Sequence, residues 1–269
     1  MTIEELKKKA DYIRDEVIRV ACKNKCGHIA PSLSTVDILV ALYYEIMHPF
    51  KEYALQVQIL KDFKIPYTRL LQEWNNRDRL VLSKGHGCYA LYAILTDLDI
   101  IPYFQWEGLG ISGKLKGCVE YFPEWGLEAG TGSLGHGLPM AVGMAYAAKV
   151  QKLSWHTYCI IGDGESQEGS CWEAMTFIYE HKLDNITVII DMNGFMALGP
   201  INKGFGYSGI EIDGHDMESL YSLLKEKPRR VTARTIKGKG LKCMEGVSKF
   251  HYRVPDEAEI CEGKTYGQE

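Results

Sequence analysis

The sequence of 269 residues predicts an α/β fold with a mostly parallel central sheet and helices on both faces. Two short apolar runs of the β type, 158–161 and 186–190, predict strands. The residues between them follow helical spacing, with the apolar members Trp172, Met175, Phe177, Ile178 and Leu183. Strand, helix and strand in this order form a βαβ unit, whose two strands run parallel.

A glycine turn, Gly162-Asp163-Gly164, joins the first strand of this unit to its helix. Ligands of open α/β sheets bind at this edge, where the N–H groups of a helix N-terminus attract anions such as a diphosphate. Asp163 would repel a phosphate unless a cation lay between them, and Asn193 ends the next strand at the same edge. A carboxylate, an amide oxygen and a backbone carbonyl, assigned to Phe195, are hard ligands that suit Mg²⁺. The simpler alternative is a plain turn in which Asp163 and Asn193 only end their elements.

Composition and charge are ordinary for a globular protein. The chain is 46% hydrophobic and 25% charged, and its net charge of −4 with a pI near 6.1 does not suggest a nucleic-acid or anionic-membrane surface. No apolar run reaches the roughly 18 residues of a membrane span, and the N-terminus lacks a signal-peptide core. Cys22 and Cys26 could share a helix face as zinc ligands, but no second pair completes a site. We therefore expect one domain over 1–269 and reduced thiols in the cytoplasm.

The first third of the chain predicts helices, with a strand toward its end. Thr2, with a glutamate three residues on, forms a capping box that opens an amphipathic helix ending near 25–27. His28 then lies in a loop, and Ser34 is expected to cap a helix over 35–47. Residues 50–76 predict two short helices whose role, as a lid, an interface or a surface decoration, stays open. A short strand then precedes a turn that contains His86, and a helix over 89–98 follows the turn.

The remainder alternates irregular and regular segments. The glycine-rich stretch 111–137 predicts irregular backbone, and 138–151 predicts a helix that packs closely on the sheet. No periodicity marks 195–209. A helix over 217–227 and a strand over 229–236 follow, and the chain is expected to end in a polar tail, 256–269.

Several segments resemble motifs of the transketolase family. They are GHIAPSLS (27–34), DRLVLSKGHG (78–87), TGSLGHG (131–137), GDGESQEG with a later Asn193 (162–193), IDGHD (212–216), TIKGKG (235–240) and MEGVSKFH (244–251). The resemblance covers 27–255 and implies the diphosphate-binding domain of a thiamine-diphosphate fold, with thiamine diphosphate and Mg²⁺ as cofactors. Several features depart from the family pattern. Cys118 replaces a sugar-binding histidine, His136 a glutamine and Tyr252 a glycine, and Ile29, Ala30 and Pro31 replace smaller residues. The connection 50–76 is longer than usual, and the segment after Asn193 is shorter.

The resemblance also implies roles for individual residues. His28, beside the thiazolium ring, His86 and His251 would move protons and bind substrate, because a pKa near neutrality suits acid–base work. The expected catalytic residues are His28, His86, His251 and Glu168. Cofactor contacts are expected from Gly132, Ser133, Leu134, Gly162, Asp163, Gly164, Glu165, Asn193 and His86. Metal ligands are expected at Asp163, Asn193 and Phe195, and substrate contacts at His28, His86, Cys118 and His136.

The function implied is that of the diphosphate-binding subunit of a two-component, transketolase-like enzyme that moves a two-carbon ketol unit between a ketose and an aldose. The glutamate that activates the aminopyrimidine in relatives has no counterpart in this sequence. A partner with the pyrimidine-binding domain is therefore expected, in a 2+2 assembly, with Glu168 and Glu173 matching family glutamates at the dimer interface. Two alternatives stay open. One is a thiamine-dependent 2-oxo-acid lyase or synthase component similar to deoxyxylulose-phosphate synthase, and the other a catalytically silent regulatory homologue.

Overall fold

A parallel sheet organises the chain, as predicted. The computed structural model of the protein describes residues 1–47, 74–197, 199–201 and 209–266. Within these ranges five parallel strands pair in the order β1-β2-β3-β5-β4. They are β1 (Arg79–Leu82), β2 (Thr157–Gly162), β3 (Ile186–Met192), β4 (Ile210–Asp213) and β5 (Arg230–Arg234). Strands β2 and β3 lie inside the sheet and are almost wholly buried, which is why they read as continuous apolar runs.

Helices surround this sheet. They are α1 (Ile3–Lys23), α2 (Ile29–Leu33), α3 (Val36–Ala41), α4 (Cys88–Asp97), α5 (Tyr103–Glu107), α6 (Gly137–Gln151), α7 (Gly169–Glu180), α8 (Met217–Lys225) and α9 (Glu257–Ile260). Helix α1 begins with the predicted capping box: the Thr2 hydroxyl accepts a hydrogen bond from the Glu5 N–H, and the Glu5 carboxylate accepts one from the Thr2 N–H. Helix α3 continues into a π-helical turn, Leu42–Ile46.

Two apolar cores lie on opposite faces of the sheet, because side chains alternate between the faces along a strand. From β2, Tyr158 and Ile160 join the larger core, together with residues of α1 to α4. Cys159 and Ile161 join the smaller core with α6 and α7. The prediction of helices on both faces is therefore confirmed.

Local structure differs from the prediction around Pro31. The predicted loop contains α2, which places this proline in a first helical turn, where its missing N–H costs nothing. Ser34 does not cap the next helix. Its hydroxyl donates instead to the Asp191 carboxylate (2.7 Å) and also lies 3.1 Å from the Pro31 carbonyl oxygen. The predicted helix over 35–47 is α3 followed directly by the π-helical turn.

The sequence prediction also missed the short elements α5 and β4, and its other differences from the structure are small. Leu183 lies beyond the end of α7 but is fully buried. Helix α8 and strand β5 each end two residues before the predicted limit. The two helices predicted for 50–76 lie almost wholly outside the described residues.

The last described residues pack on the body of the protein. Asp256 and Glu259 form a capping box for α9. The Tyr266 hydroxyl donates a hydrogen bond to Asp15 of α1, and the Thr265 hydroxyl donates to Glu245 (2.6 Å). Among the described helices, none combines the length and the apolar character needed to cross a bilayer.

Candidate active site

A cavity of about 610 Å³ lies at the carboxyl ends of the strands, where ligands bind in open α/β sheets. The structure brings together here most of the residues that the sequence singled out. These are His28, His86, Cys118, Gly132, Leu134, Gly162, Asp163, Gly164, Glu165, Glu168, Asn193, Phe195 and His251. Ser133 and His136 do not line this cavity. Both are exposed, and the His136 ring bonds locally to the Leu134 carbonyl (3.1 Å).

Asp163 is held at the end of β2 by two backbone N–H groups. One carboxylate oxygen accepts from Gly164 N (2.8 Å) and the other from Gly194 N (2.6 Å). Burial and the neighbouring charge of Asp191 raise the pKa of Asp163 to about 6, although these two hydrogen bonds act in the opposite direction. A cation at this carboxylate would act in the opposite direction and lower the pKa of Asp163.

Two hydrogen bonds orient the side-chain amide of Asn193 at the same edge of the sheet. Its Nδ2 donates to the Asp191 carboxylate (3.2 Å), and its Oδ1 accepts from Phe195 N (3.1 Å). The amide oxygen is therefore identified by its hydrogen bonds, and it remains able to accept a second partner. Asp163 and Asn193 both line the cavity, so the donor set is one of hard oxygens.

A buried ion pair that sequence reasoning missed lies beneath this edge. Lys84, which follows β1, is paired with Asp191 at the end of β3, and both side chains are almost fully buried. The Lys84 ammonium also donates to the Pro31 carbonyl (3.0 Å) and to the Ser34 hydroxyl (3.3 Å). Burial raises the pKa of Asp191, but the charge and hydrogen bond of Lys84 outweigh it, and the net shift is downward. The sequence did contain a signal for this pair, since a lysine and an aspartate lie at the ends of two predicted buried strands. Buried charges are usually paired, so these two residues could have been predicted to contact each other.

Three imidazole rings meet at one wall of the cavity. The ring centroids of His28, His86 and His251 lie 5.1 to 5.7 Å apart. His28 Nδ1 lies 3.3 Å from the Gly117 carbonyl. The sequence therefore identified three residues that converge, although they lie in three distant segments.

In the free chain, the surroundings of all three rings lower the histidine pKa values below the ordinary one. Burial and the charge of Lys237 lower the pKa of His28. Burial and the charge of Lys84 lower the pKa of His86 well below its usual value. The His251 pKa falls to about 4 for the same kind of reason, burial first and then Lys237. The three rings are neutral at pH 7, and an anion bound beside them would raise these pKa values.

Lys237, after β5, is a second site residue that sequence reasoning missed. Its ammonium lies 2.9 Å from His251 Nδ1 and 3.4 Å from the Met196 carbonyl. Burial, and then the charge of Lys84, lower the pKa of Lys237 to about 8. Because an ammonium can only donate, His251 Nδ1 is the acceptor and Nε2 carries the proton. The quoted TIKGKG segment contained this lysine, but nothing in the segment predicted its contact with His251.

Glu165 connects the walls of the cavity through hydrogen bonds within the chain. Its carboxylate accepts from Gly162 N (3.1 Å), from Gly135 N (3.0 Å) and from the Ser83 hydroxyl. These bonds tie the turn after β2 to the end of β1 and to the glycine-rich segment. Glu165 therefore stabilises the walls of the cavity. A contact between Glu165 and the cofactor stays a prediction.

Helices α6 and α7 present an apolar surface beside the cavity, which we call the α6–α7 face. Its exposed side chains are Met140, Tyr146, Val150, Trp172 and Tyr179. The opposite side of α6, at Leu138, Ala141 and Ala145, is buried and also apolar. This helix is therefore apolar on all sides. Glu168 and Glu173 lie exposed on the same helix pair, Glu168 at the N-terminus of α7.

The chain resembles known proteins over nearly its whole length. The family described as "Transketolase, thiamine diphosphate binding domain" matches residues 7–268. The chain belongs to the transketolase family. It is 33% identical to one of the subunits of the apulose-4-phosphate transketolase of Phocaeicola vulgatus, over 95% of this chain and 91% of that protein. It is 34% identical to a 6-deoxy-6-sulfo-D-fructose transketolase subunit of Clostridium sp., over 92% and 90% of the two chains.

Longer transketolases match over part of their length. A solved transketolase of Campylobacter jejuni superposes with a TM-score of 0.81 at 28% identity, covering 96% of this chain and 42% of that one. Human transketolase-like protein 2 is 31% identical over 95% of this chain and 41% of its own length. The fold described above is thus that of the thiamine-diphosphate-binding part of a transketolase, an enzyme of the transferase class.

The residues of this cavity fit thiamine diphosphate. Gly132 has a φ of +153°, a backbone conformation that residues with a side chain rarely adopt, so glycine is favoured at this position of the cavity wall. Asp163 and Asn193 supply hard oxygen atoms for a cation, and Lys237 supplies a positive charge at the same edge. This donor set suits an anionic group that is bound through a divalent cation.

Proposed function

We propose that this chain is the diphosphate-binding subunit of a two-component, thiamine-diphosphate-dependent transketolase. It would transfer a two-carbon ketol unit between a ketose and an aldose that carry a phosphate or another modification. The observation that carries the proposal is the convergence of Asp163 and Asn193 with three neutral histidines in one cavity. It is supported by the near end-to-end match to relatives that are named as transketolase subunits.

In this proposal each group of the cavity has a separate task. Asp163, Asn193 and the Phe195 carbonyl would hold Mg²⁺ against the diphosphate. The bound thiamine diphosphate supplies an electron sink for the two-carbon unit. His251, with its proton on Nε2, would donate to a substrate oxygen, while His28 and His86 would bind hydroxyl groups and exchange protons with them. Lys237 would hold the His251 ring in this orientation.

A second kind of chain would complete the site. The names of the apulose-4-phosphate relatives, each given as one of several subunits, imply another component for those enzymes. We propose that the partner of this chain carries the pyrimidine-binding domain and its activating glutamate. The α6–α7 face supports an interface beside the cavity, since a helix that is apolar on all sides is usually covered. We propose a closed assembly of two copies of each chain.

We also propose that the enzyme works in the cytoplasm. All eight cysteines are free thiols in the structure, although several lie near the surface. This pattern is typical of proteins kept in a reducing compartment.

Reconstitution tests the two-component proposal. The purified chain should be inactive in a ketol-transfer assay and should bind thiamine diphosphate weakly, because it supplies one end of the cofactor site. After addition of a partner with the pyrimidine-binding domain, activity should appear and light scattering should give the mass of a 2+2 complex. The partner alone serves as the control. Full turnover by the purified single chain would overturn the two-component proposal.

Cys118 gives a test of the substrate side of the site. It lines the cavity where the family pattern has a sugar-binding histidine, so the pocket lacks a strong hydrogen-bonding group there. We expect Cys118→His to change the order of preference among ketoses and aldoses by about tenfold, roughly the effect of one hydrogen bond, and to leave cofactor affinity unchanged. Cys261→His, at an exposed thiol far along the chain, is the control. An unchanged substrate profile would show that Cys118 does not contact the sugar.

A further inference from the structure

The backbone directly before Lys237 is held by a side chain. Beyond the carboxyl ends of β4 and β5, the Ile236 N–H donates a hydrogen bond to Nε2 of His215 at 2.8 Å. The His215 ring thus takes the place of a neighbouring strand at this point of the sheet. His215 belongs to the IDGHD segment (212–216), to which the proposed function assigns no task.

The approach of the two strand ends requires glycine at position 214. The Gly214 N–H donates to the Arg234 carbonyl at 2.7 Å. A Cβ at this position would lie 2.5 Å from the side chain of Thr235, which is closer than real contacts allow. This close packing brings the His215 ring within hydrogen-bonding distance of Ile236.

Asp37 fixes the tautomer of His215. Nδ1 of the ring lies 2.6 Å from the Asp37 carboxylate. Burial raises the pKa of Asp37, but the charge of Arg14 and the hydrogen bond from His215 outweigh it, and the net shift is downward. An ionised carboxylate can only accept, so Nδ1 carries the proton and Nε2 is the acceptor for Ile236. The Asp37–Arg14 pair is almost fully buried and holds the ring from behind.

Lys237 is the next residue along the chain, and its side chain is almost fully buried. Its carbonyl accepts from Gly246 N at 2.9 Å, and Gly238 N donates to a carbonyl of α2 at 3.0 Å. These bonds fix the backbone after Lys237, whereas the bond to His215 fixes it before Lys237. The ammonium is thereby held 2.9 Å from His251 Nδ1.

We propose that His215 is a positioning residue for the contact between Lys237 and His251. It holds the backbone at Ile236, and this keeps the Lys237 ammonium at His251 Nδ1, so that the ring proton stays on Nε2. His215 does not line the cavity and acts only through Lys237. The inference rests on the proposed function, in which His251 Nε2 donates to a substrate oxygen.

His215→Leu tests this role, because leucine offers no acceptor to the Ile236 N–H. Asp37 keeps its ion pair with Arg14 in this variant, so no buried charge is left unpaired. In the assembled complex kcat should fall by about tenfold to a hundredfold, with little change in KM, because small displacements of a catalytic group have effects of this size.

NMR titration of the full chain gives a readout that does not depend on activity. Burial, and then the charge of Lys237, lower the His251 pKa to about 4. In His215→Leu this pKa should rise, because the ammonium moves away while burial and the other groups that face the ring remain. These groups are Lys84, His28 and His86. The His251 signal is identified by its loss in His251→Gln.

Two further variants show whether His215 acts through Lys237. His215→Gln places an amide oxygen near the position of Nε2, and it should restore most of the wild-type kcat and His251 pKa. Lys237→Met should raise the His251 pKa by itself. Adding His215→Leu to Lys237→Met should have no further effect, because substitutions that act through one contact are not additive.

His156→Leu is the matched control. This imidazole also bonds between strands, with Nε2 at 2.8 Å from the Thr187 hydroxyl, but it lies at the amino ends of β2 and β3 and does not line the cavity. The control should lower stability without changing the His251 pKa. An equal rise of this pKa in the control, or an unchanged pKa in folded His215→Leu, would overturn the positioning role.

The outcomes for folding and for the enzyme are separable. If His215→Leu does not fold, His215→Asn, whose side chain is too short to reach Ile236, takes its place. Absence of ketol transfer by the wild-type complex would overturn the proposed function. The His251 pKa is measured in the chain alone, so it decides whether His215 positions the Lys237–His251 contact independently of that result.

Discussion

Asp163→Ala should abolish Mg²⁺-dependent binding of thiamine diphosphate by the reconstituted complex. The carboxylate lies at the edge of the sheet with both oxygens fixed by backbone N–H groups, so the cation bridge depends on it. Loss of a residue that only supports a metal ligand lowers metal affinity by about tenfold to a hundredfold. Loss of a ligand itself should therefore lower the affinity by more than about a hundredfold. Asn193→Ala should be nearly as severe. Calorimetric titration with cofactor, with and without Mg²⁺, measures both.

Asp213→Ala is the matched control for this prediction. Asp213 also ends a strand at the same edge, but it is exposed and does not line the cavity. Circular dichroism would show that each variant is folded. Wild-type affinity in folded Asp163→Ala would remove Asp163 from the metal site.

Lys84→Met should have the largest effect on stability. The substitution leaves the Asp191 carboxylate fully buried without its cation, although hydrogen bonds from Ser34 and Thr235 remain. Breaking a buried pair in this way typically lowers the free energy of unfolding by about 3–5 kcal/mol. Urea denaturation followed by fluorescence measures the change.

A second substitution separates charge from packing. Asp191→Asn, added to Lys84→Met, removes the unpaired charge and should recover part of the lost free energy. Lys249→Met is the control, because this exposed lysine forms a surface pair with Glu259 at 3.5 Å, and solvent-exposed pairs contribute little to stability. If Lys84→Met cost no more than the control, the buried pair would have no role in stability.

The sequence predicted the centre of the fold well and its first loop poorly. Strands β2 and β3 are buried on both faces, so their apolar runs were visible without any tertiary information. Helix α2 was not visible, because Pro31 and its serine neighbours are typical of loops. Its five residues are all buried, so packing outweighed local preference there.

The site was predictable where one segment carries the chemistry, as in Gly162-Asp163-Gly164. It was not predictable where distant segments meet. Lys84 and Asp191 are 107 positions apart, and the contact of Lys237 with His251 depends on how two loops fold after β5. The low histidine pKa values have the same origin, because burial and neighbouring charges belong to the folded chain.

The α6–α7 face has a consequence for the life of this chain in the cell. A copy made without its partner exposes Tyr146, Val150, Trp172 and Tyr179 to water, and such surfaces are recognised by chaperones and proteases or cause aggregation. If the proposed partner covers this face, surplus copies would be short-lived, whereas assembled copies would be protected through binding of the folded form. The abundance of this chain would follow the supply of its partner, and balanced synthesis of the two would set the amount of enzyme.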